Sequence, residues 1–194
     1  MRSSSNPQDR ALSVLMAAFV MAAMLLLVGC AGGTTGSGSA AQSVEATPGT
    51  FPATTPKPGE QPPPPALNDP RTAVYSYQLW ISYAYRVLNS DVASRTFDPS
   101  EEVRVNSYVM YNFQEGRAID QRLLVATVKS SESQGSTATV AMHEEWVYRY
   151  ISTQTGKYTT PALNASYETT YTLVRQNDDW VVHSVEATAG TAVK

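Results

Sequence analysis

Hydrophobic and polar positions along the chain predict helices first and strands afterwards. Asp69-Pro70 is a typical helix start, since an N-cap acceptor precedes proline at the first helical position. Apolar residues then recur at helical spacing until Asn89-Ser90-Asp91, where we expect the helix to end. These residues are Ala73, Tyr77, Trp80, Ile81, Ala84, Val87 and Leu88. The opposite side carries four more large side chains, so we expect contact with a second subunit there; they are Tyr75, Leu79, Tyr83 and Tyr85.

A second helix is predicted between Asp98-Pro99 and Gly116. Asp98 is an N-cap residue, and Glu101 stands where an acid completes a capping box. Gly116 is a typical C-terminal stop. The apolar stripe expected to face the core consists of Val105, Tyr108, Val109 and Phe113.

Beyond Ile119 the pattern changes to strands rich in Val, Thr, Tyr and Trp. Short turn sequences separate four predicted strands, at 119–130, 136–152, 167–176 and 179–188. Consecutive strands joined by short turns predict an antiparallel meander. Two helices before a curved four-stranded sheet make an α+β domain, with the helices packed on one face.

Alternation along the strands predicts which residues face the helices. The aromatic side of the longest strand carries Val140, Met142, Trp146, Tyr148 and Tyr150 together with Glu144. His143, Glu145 and Arg149 lie on the other side, which is mixed and suits partial burial against a partner. On the last strand Trp180 and Val182 share a face, and Val181, His183 and Val185 are expected opposite.

The amino-terminal sequence predicts a targeting signal and not a part of the folded domain. A polar start with two arginines precedes an apolar run from Ala11 to Val28, and Leu27-Val28-Gly29-Cys30 follows at its end. This motif resembles the bacterial lipobox, in which the cysteine thiol receives a diacylglyceryl group and the chain is cut before it. The resemblance implies a cleaved signal peptide over 1–29 and acyl chains on Cys30, which stable anchoring requires. An uncleaved signal anchor and simple secretion are the alternatives.

A tether is predicted between this anchor and the folded part. Residues 30–68 are first Gly/Ser/Thr-rich and then Pro-rich, without helical or strand periodicity. Such a segment has too few apolar residues to offset the entropy of ordering. We therefore expect a disordered spacer, a domain over 69–188 and a short tail over 189–194.

Composition excludes several kinds of function. Charged residues make up 16% of the chain and the net charge is −3, so no basic surface indicates nucleic-acid binding. One Cys and two His argue against a disulfide framework and against a metal cluster. No motif indicates a nucleotide or other cofactor.

The order of elements resembles the nuclear transport factor 2-like superfamily. The pattern is carried by Tyr167, Tyr171, Leu173, Trp180, Val182 and Val185. Glu144-x-Trp146-x-Tyr148 is similar to a strand of the same fold in bacterial envelope proteins and plastid division proteins. The resemblance covers about 70–188 and implies a cone whose concave sheet and helices enclose a pocket, often with dimerisation through the sheet. Members include isomerases, dehydratases and non-catalytic binding modules, so the fold alone does not decide the function.

Candidate site residues follow from the aromatic face. We expect a pocket, or a filled core, lined by Tyr77, Trp80, Glu144, Trp146, Tyr148, Tyr171 and Trp180. A carboxylate among aromatics has a raised pKa unless it is paired, and Arg117, Arg122 or a Tyr hydroxyl would satisfy Glu144. An enzyme would need an acid or base there, and Asp120, His143 and His183 are the remaining candidates. No motif assigns any residue a catalytic role.

The sequence therefore favours a lipid-anchored protein facing outside the cytoplasm, at the cell surface or in the periplasm. Its domain is expected to be a non-catalytic docking or sensing module for an envelope protein or a small apolar ligand. One alternative is a small-pocket isomerase or dehydratase with Glu144 or Asp120 as base. The other is a structural dimer that spaces envelope components.

Overall fold

Except for one short strand, the helices precede the strands in the chain, as the patterning predicts. The computed structural model describes residues 49–51 and 59–190, all within a unit assigned to Ala40–Lys194. The elements are β1 (Gly49–Phe51), α1 (Pro70–Val87), a 3₁₀ helix (Asp91–Thr96), α2 (Pro99–Gln114), β2 (Arg117–Gln134), β3 (Thr137–Ser152), β4 (Leu163–Gln176) and β5 (Asp179–Ala189). The helices pack on one antiparallel sheet, which confirms the α+β class.

Several sequence-based predictions lie outside the described residues. These are the signal peptide over 1–29, Cys30 with its lipid, most of the tether, and the tail beyond Gly190. Within the residues that the structure covers, no helix combines the length and the hydrophobicity that crossing a bilayer needs.

Helix α1 begins and ends with local signals that the sequence contains. Asp69 accepts hydrogen bonds from the Arg71 and Thr72 amides at 3.0 and 3.3 Å, and Pro70 is the first helical residue. Leu88, in the left-handed region at φ 55°, closes the last turn by donating its amide to the Ala84 carbonyl. The helix is therefore capped at both ends.

The end of the predicted tether packs on α1. Trp80 Nε1 donates to the Pro63 carbonyl at 3.0 Å, and the Ala66 amide donates to Ser76 Oγ at 2.9 Å. Leu67 is buried, and its carbonyl accepts from the Trp180 amide at 2.7 Å. The folded part thus includes residues before 69. On the side of α1 predicted to meet a second subunit, Tyr75 stacks on Phe51 of β1 and Tyr85 meets Tyr108 of α2 edge to face.

Helix α2 differs from its prediction in its last turn. Asp98 caps it through the Ser100 and Glu101 amides, as expected. Phe113, predicted to face the core, is 61% exposed, and Asn112 is buried in its place. Asn112 fits there because its amide donates to the Tyr108 carbonyl and its oxygen accepts from Arg117 Nε. A polar side chain with both groups bonded is stable in the core.

The sheet has five strands in the order β1-β2-β3-β4-β5, so the predicted count of four is wrong. The fifth is β1, which pairs with β2 from Gly49↔Val128 to Phe51↔Ala126. Phe51 stacks on Tyr75 of α1 with ring centroids 4.8 Å apart. A three-residue strand within a Gly- and Pro-rich region has no alternating pattern, which is why the sequence does not reveal it.

Bulges shift the pairing register in β2 and β5, and each one changes the face of the sheet on which the following side chains lie. In β2 the pairing shifts at Leu124 and at Lys129. In β5 it shifts at His183, so that Leu173 pairs with Val182 but Tyr171 pairs with Val185. Because a bulge inserts one extra residue, Val185 lies on the helix-facing side, contrary to strict alternation. We call that side the inner face of the sheet and the other side the outer face.

We expect Leu67→Ala to lower the free energy of unfolding by about 2–5 kcal/mol, the range for truncating a buried leucine. Urea unfolding of the full chain is the measurement. Pro64→Ala, at an exposed neighbouring position, is the matched control and is expected to change little. Equal stability of the two variants would mean that residues before 69 do not belong to the folded part.

Candidate functional site

The structure places six of the seven predicted pocket residues in the core. Each is no more than 8% exposed: Tyr77, Trp80, Glu144, Trp146, Tyr171 and Trp180. Tyr148 is half-buried on the same face. The aromatic face meets the helices as predicted, and most of it is filled by side chains.

Glu144 lies at the centre of this face. Tyr171 Oη donates to its Oε1 at 2.7 Å, and Trp146 Nε1 donates to its Oε2 at 2.8 Å. A tyrosine hydroxyl therefore satisfies it, whereas Arg117 and Arg122 do not pair with it. Burial raises the pKa of the Glu144 carboxyl, and the hydrogen bonds from Tyr171 and Trp146 offset part of that rise.

In contrast to Glu144, two buried side-chain oxygens in this region lack a hydrogen bond, Gln78 Oε1 and Thr169 Oγ1. Gln78 Nε2 lies 3.2 Å from Tyr171 Oη. The amide donates to that oxygen, which leaves the phenolic hydrogen of Tyr171 free to be donated to Glu144.

A second buried group joins α1 to α2. Tyr77 Oη donates to Glu101, and the Arg104 guanidinium contacts both Glu101 and Tyr77. Burial raises the pKa of Tyr77 well above its usual value, and raises that of Tyr85 to about 12. The Tyr77 and Tyr171 rings meet edge to face at 5.9 Å, which connects this group to Glu144.

Asp120, the other predicted base, lies on the outer face. It accepts from Tyr158 Oη at 2.6 Å and lies 3.1 Å from an Arg86 nitrogen and 3.9 Å from an Arg149 nitrogen. Arg149 also stacks on the Tyr158 ring at 3.7 Å. These contacts neutralise the carboxylate and hold the β3–β4 connection against the strands.

The two histidines lie apart from Glu144. His143 is on the outer face, with Nδ1 3.0 Å from Glu168 and Nε2 3.6 Å from Glu145. His183 Nδ1 lies 2.6 Å from Asp98, so the β5 bulge is joined to the N-cap of α2. Within residues 49–51 and 59–190, no group of three His, Cys, Asp or Glu side chains is placed to hold a metal ion.

Helix α2 presents to solvent a second stripe of uncharged residues, three apolar and three polar, which the sequence analysis missed. We call the α2 outer stripe the exposed, uncharged residues at helical spacing Val103, Asn106, Ser107, Met110, Phe113 and Gln114. Val103, Phe113 and Met110 are 68%, 61% and 46% exposed. The detectable signal was a helix with apolar residues on two faces, since Val105 and Val109 already fill the inner one.

Comparisons with known proteins identify the fold but no relative. No family model matches the chain, and no curated protein does. Among solved structures, the chain is similar to the intermembrane space region of the chloroplast protein ARC6, with a TM-score of 0.55 and 18% identity. The match covers 63% of this chain and 98% of that one. At this identity the likeness shows a shared α+β fold.

We expect the free energy of unfolding of the wild type to decrease as the pH rises above about 4.3, the pKa of glutamate in the unfolded chain. The raised pKa of Glu144 means that the folded state holds its proton to higher pH than the unfolded state, so stability is full below that value and is lost through the folded-state pKa. Glu144→Gln, which mimics the neutral acid, should remove this component. Urea unfolding between about pH 4 and 8, starting below the unfolded-state pKa, is the measurement.

The matched control is Glu186→Gln, at an exposed position on β5. It should keep the wild-type pH dependence. A Glu144→Gln curve parallel to that of the wild type would show that Glu144 is ionised throughout.

Proposed function

We propose that this chain is a lipid-anchored docking module that works outside the cytoplasm and binds a protein partner through the α2 outer stripe. The anchor would be Cys30 of the lipobox-like Leu27-Val28-Gly29-Cys30, and the residues that follow would space the folded part from the membrane. The folded part would be a cone of the nuclear transport factor 2-like type. The α+β likeness to an intermembrane space region supports a domain suited to a compartment beyond a membrane.

The observation that carries the docking proposal is the apolar outer surface of α2. Seven large hydrophobic side chains are exposed in the described part of the chain. Four of them lie on this helix, at Val103, Met110, Tyr111 and Phe113. An amphipathic helix normally turns such residues towards a core. A helix that is apolar on both sides is suited to being covered on both sides, and a partner protein would cover the second.

Tethering would make a modest interface sufficient. A helix face of this length is smaller than a standard interface, which buries about 800 Å² on each partner. Confinement near a membrane raises the effective concentration for partners in the same membrane, so a weak contact can be occupied. This gives the lipid anchor a role in binding as well as in location.

The isomerase or dehydratase alternative has less support. A general base must reach the substrate proton, and Glu144 is only 3% exposed and already accepts two hydrogen bonds. Asp120 is ion-paired on the outer face. The dimeric spacer would use the outer face, where pairs such as Lys129–Glu168 and His143–Glu168 would have to be desolvated.

We expect the native protein to begin at Cys30 and to carry acyl chains there, because stable anchoring needs at least two membrane-binding signals. Intact-mass spectrometry of the membrane fraction is the measurement. Cys30→Ala should leave the protein unacylated. A free thiol still joined to residues 1–29 would contradict the lipid anchor.

We expect a photo-crosslinking amino acid at Met110 to capture one partner of defined mass in native membranes. The same amino acid at Thr170, which is exposed on the outer face, is the matched control and should capture none. Val103→Ser with Phe113→Ser should abolish the product, and Cys30→Ala should reduce it. Capture from Thr170 of a second copy of the chain would favour the spacer, and no capture from either site would overturn docking.

A further inference from the structure

Helix α1, two strands and the β3–β4 connection meet at the carboxylate of Asp120. It lies 3.1 Å from an Arg86 nitrogen of α1 and 3.9 Å from an Arg149 nitrogen of β3. Tyr158 of the connection donates its hydroxyl to the same carboxylate at 2.6 Å, and its ring stacks on Arg149 at 3.7 Å. Since one carboxylate balances only one of the two arginines, the group carries net positive charge.

Two further cations lie beside this group without an acidic partner. Arg122 is two residues beyond Asp120 in β2 and is therefore on the same face of the sheet. Lys157 directly precedes Tyr158 in the β3–β4 connection. Both are exposed, and in the part of the chain that the structure describes no ion pair joins either of them to a carboxylate. The surface is basic although acidic residues outnumber basic ones over 59–190 as a whole.

Exposed apolar side chains accompany these cations. Among the large hydrophobic residues that are exposed in the described ranges, those outside α2 are Val87, Leu124 and Tyr158. Val87 ends α1 directly after Arg86, and Leu124 is the extra residue at the first bulge of β2, two positions beyond Arg122. Each apolar residue thus lies next to a cation in the chain. We call the combined surface the basic patch; its residues are Arg86, Val87, Arg122, Leu124, Arg149, Lys157 and Tyr158.

We propose that the basic patch is a membrane-binding surface that holds the folded part against a bilayer containing anionic phospholipids. Lysine and arginine close to such a bilayer are attracted by its surface charge, and guanidinium groups bind phosphate oxygens directly. Tyr158 is suited to the boundary between headgroups and acyl chains, because its ring is apolar and its hydroxyl is polar. Val87 and Leu124 would enter the same boundary, which a purely electrostatic contact with an acidic protein does not require.

The inference rests on the proposed lipid anchor, which supplies a bilayer within reach, and it uses no residue of the α2 outer stripe. The chain from Cys30 to Gly49 extends to at most about 65 Å, so the anchor by itself does not select the surface that meets the membrane. The basic patch would make that selection. An acyl anchor and a basic surface also reinforce each other, because two membrane-binding signals give stable attachment.

The test uses the full acylated protein in vesicles of phosphatidylcholine with about 30% phosphatidylglycerol, and in vesicles of phosphatidylcholine alone. A nitroxide is attached to Leu124→Cys in the patch or, as the matched control, to Ser136→Cys in the exposed β2–β3 turn at the other end of the sheet. The chain has one native cysteine, and acylation blocks it from taking the label. On anionic vesicles alone, we expect the nitroxide at 124 to become accessible to oxygen and protected from a water-soluble nickel chelate. The nitroxide at 136 should stay in water.

Charge removal separates the patch from the rest of the surface. Arg122→Gln with Lys157→Gln should lower the ratio of docked to undocked protein by about fivefold for each cation removed. Arg95→Gln with Arg175→Gln removes the same charge beside the β4–β5 turn and should leave the ratio unchanged. Sodium chloride at about 0.5 M should undock the domain while the protein stays on the vesicles, since salt screens the charges and not the acyl chains.

A nitroxide at 124 that stays in water on anionic vesicles overturns the proposal and leaves an acidic protein as the partner of the patch. Equal docking on neutral vesicles, or equal docking of the two double variants, overturns it as well. Failure of the lipid anchor is seen separately, because a free Cys30 thiol would take a second nitroxide, which intact-mass spectrometry detects. The Cys30→Ala background would then still report the position of 124 alone.

Discussion

A polar connection buried among α1, α2 and the sheet is the constraint on which the rest of the structure depends. Glu144 on β3 is bonded by Tyr171 on β4, and Glu101 on α2 is bonded by Tyr77 on α1. The Tyr77 and Tyr171 rings are in edge-to-face contact, so the two tyrosines that donate to the buried carboxyls also pack against each other. Removing either tyrosine would leave the buried acid with one side-chain partner fewer, Trp146 alone for Glu144 and Arg104 alone for Glu101, and the lost bond would not be replaced by water. The Tyr77–Glu101 bond fixes α1 against α2, and the Gln78–Tyr171 bond fixes α1 against β4, so α1 cannot slide without breaking one of them.

The bulge in β5 fixes where α2 begins on the sheet. At His183 the extra residue of β5 turns Val185 inward and brings the imidazole to Asp98, the N-cap of α2. The backbone adds a second link, from the Asp98 amide to the Val182 carbonyl. Because its start is held at β5 and its end at Gly116, α2 lies across the sheet rather than along it. This position leaves one side of the helix, with Val103, Met110 and Phe113, exposed.

Sequence reasoning succeeds here where local chemistry decides, and fails where packing does. The caps at Asp69 and Asp98, the meander and the inward position of Glu144 all follow from residue type and spacing. Strand β1 and the packing of Leu67 escape prediction because a proline-rich segment carries no periodic signal. Phe113 and Val185 are misplaced because a last helical turn and a bulge depend on neighbours distant in the chain. Six of the seven predicted pocket residues are buried in the core, so side chains fill much of the space that a ligand pocket would need.

Helix α2 is the element on which the docking proposal depends. Its outer stripe includes Met110 and Phe113, and its last turn is bonded to β2, because Arg117 Nε donates to Asn112 and the guanidinium lies against the Tyr111 ring. Its first turn is bonded to β5 through Asp98. A helix that is held at both ends presents its outer stripe without further ordering, and such preorganisation lowers the entropy cost of binding.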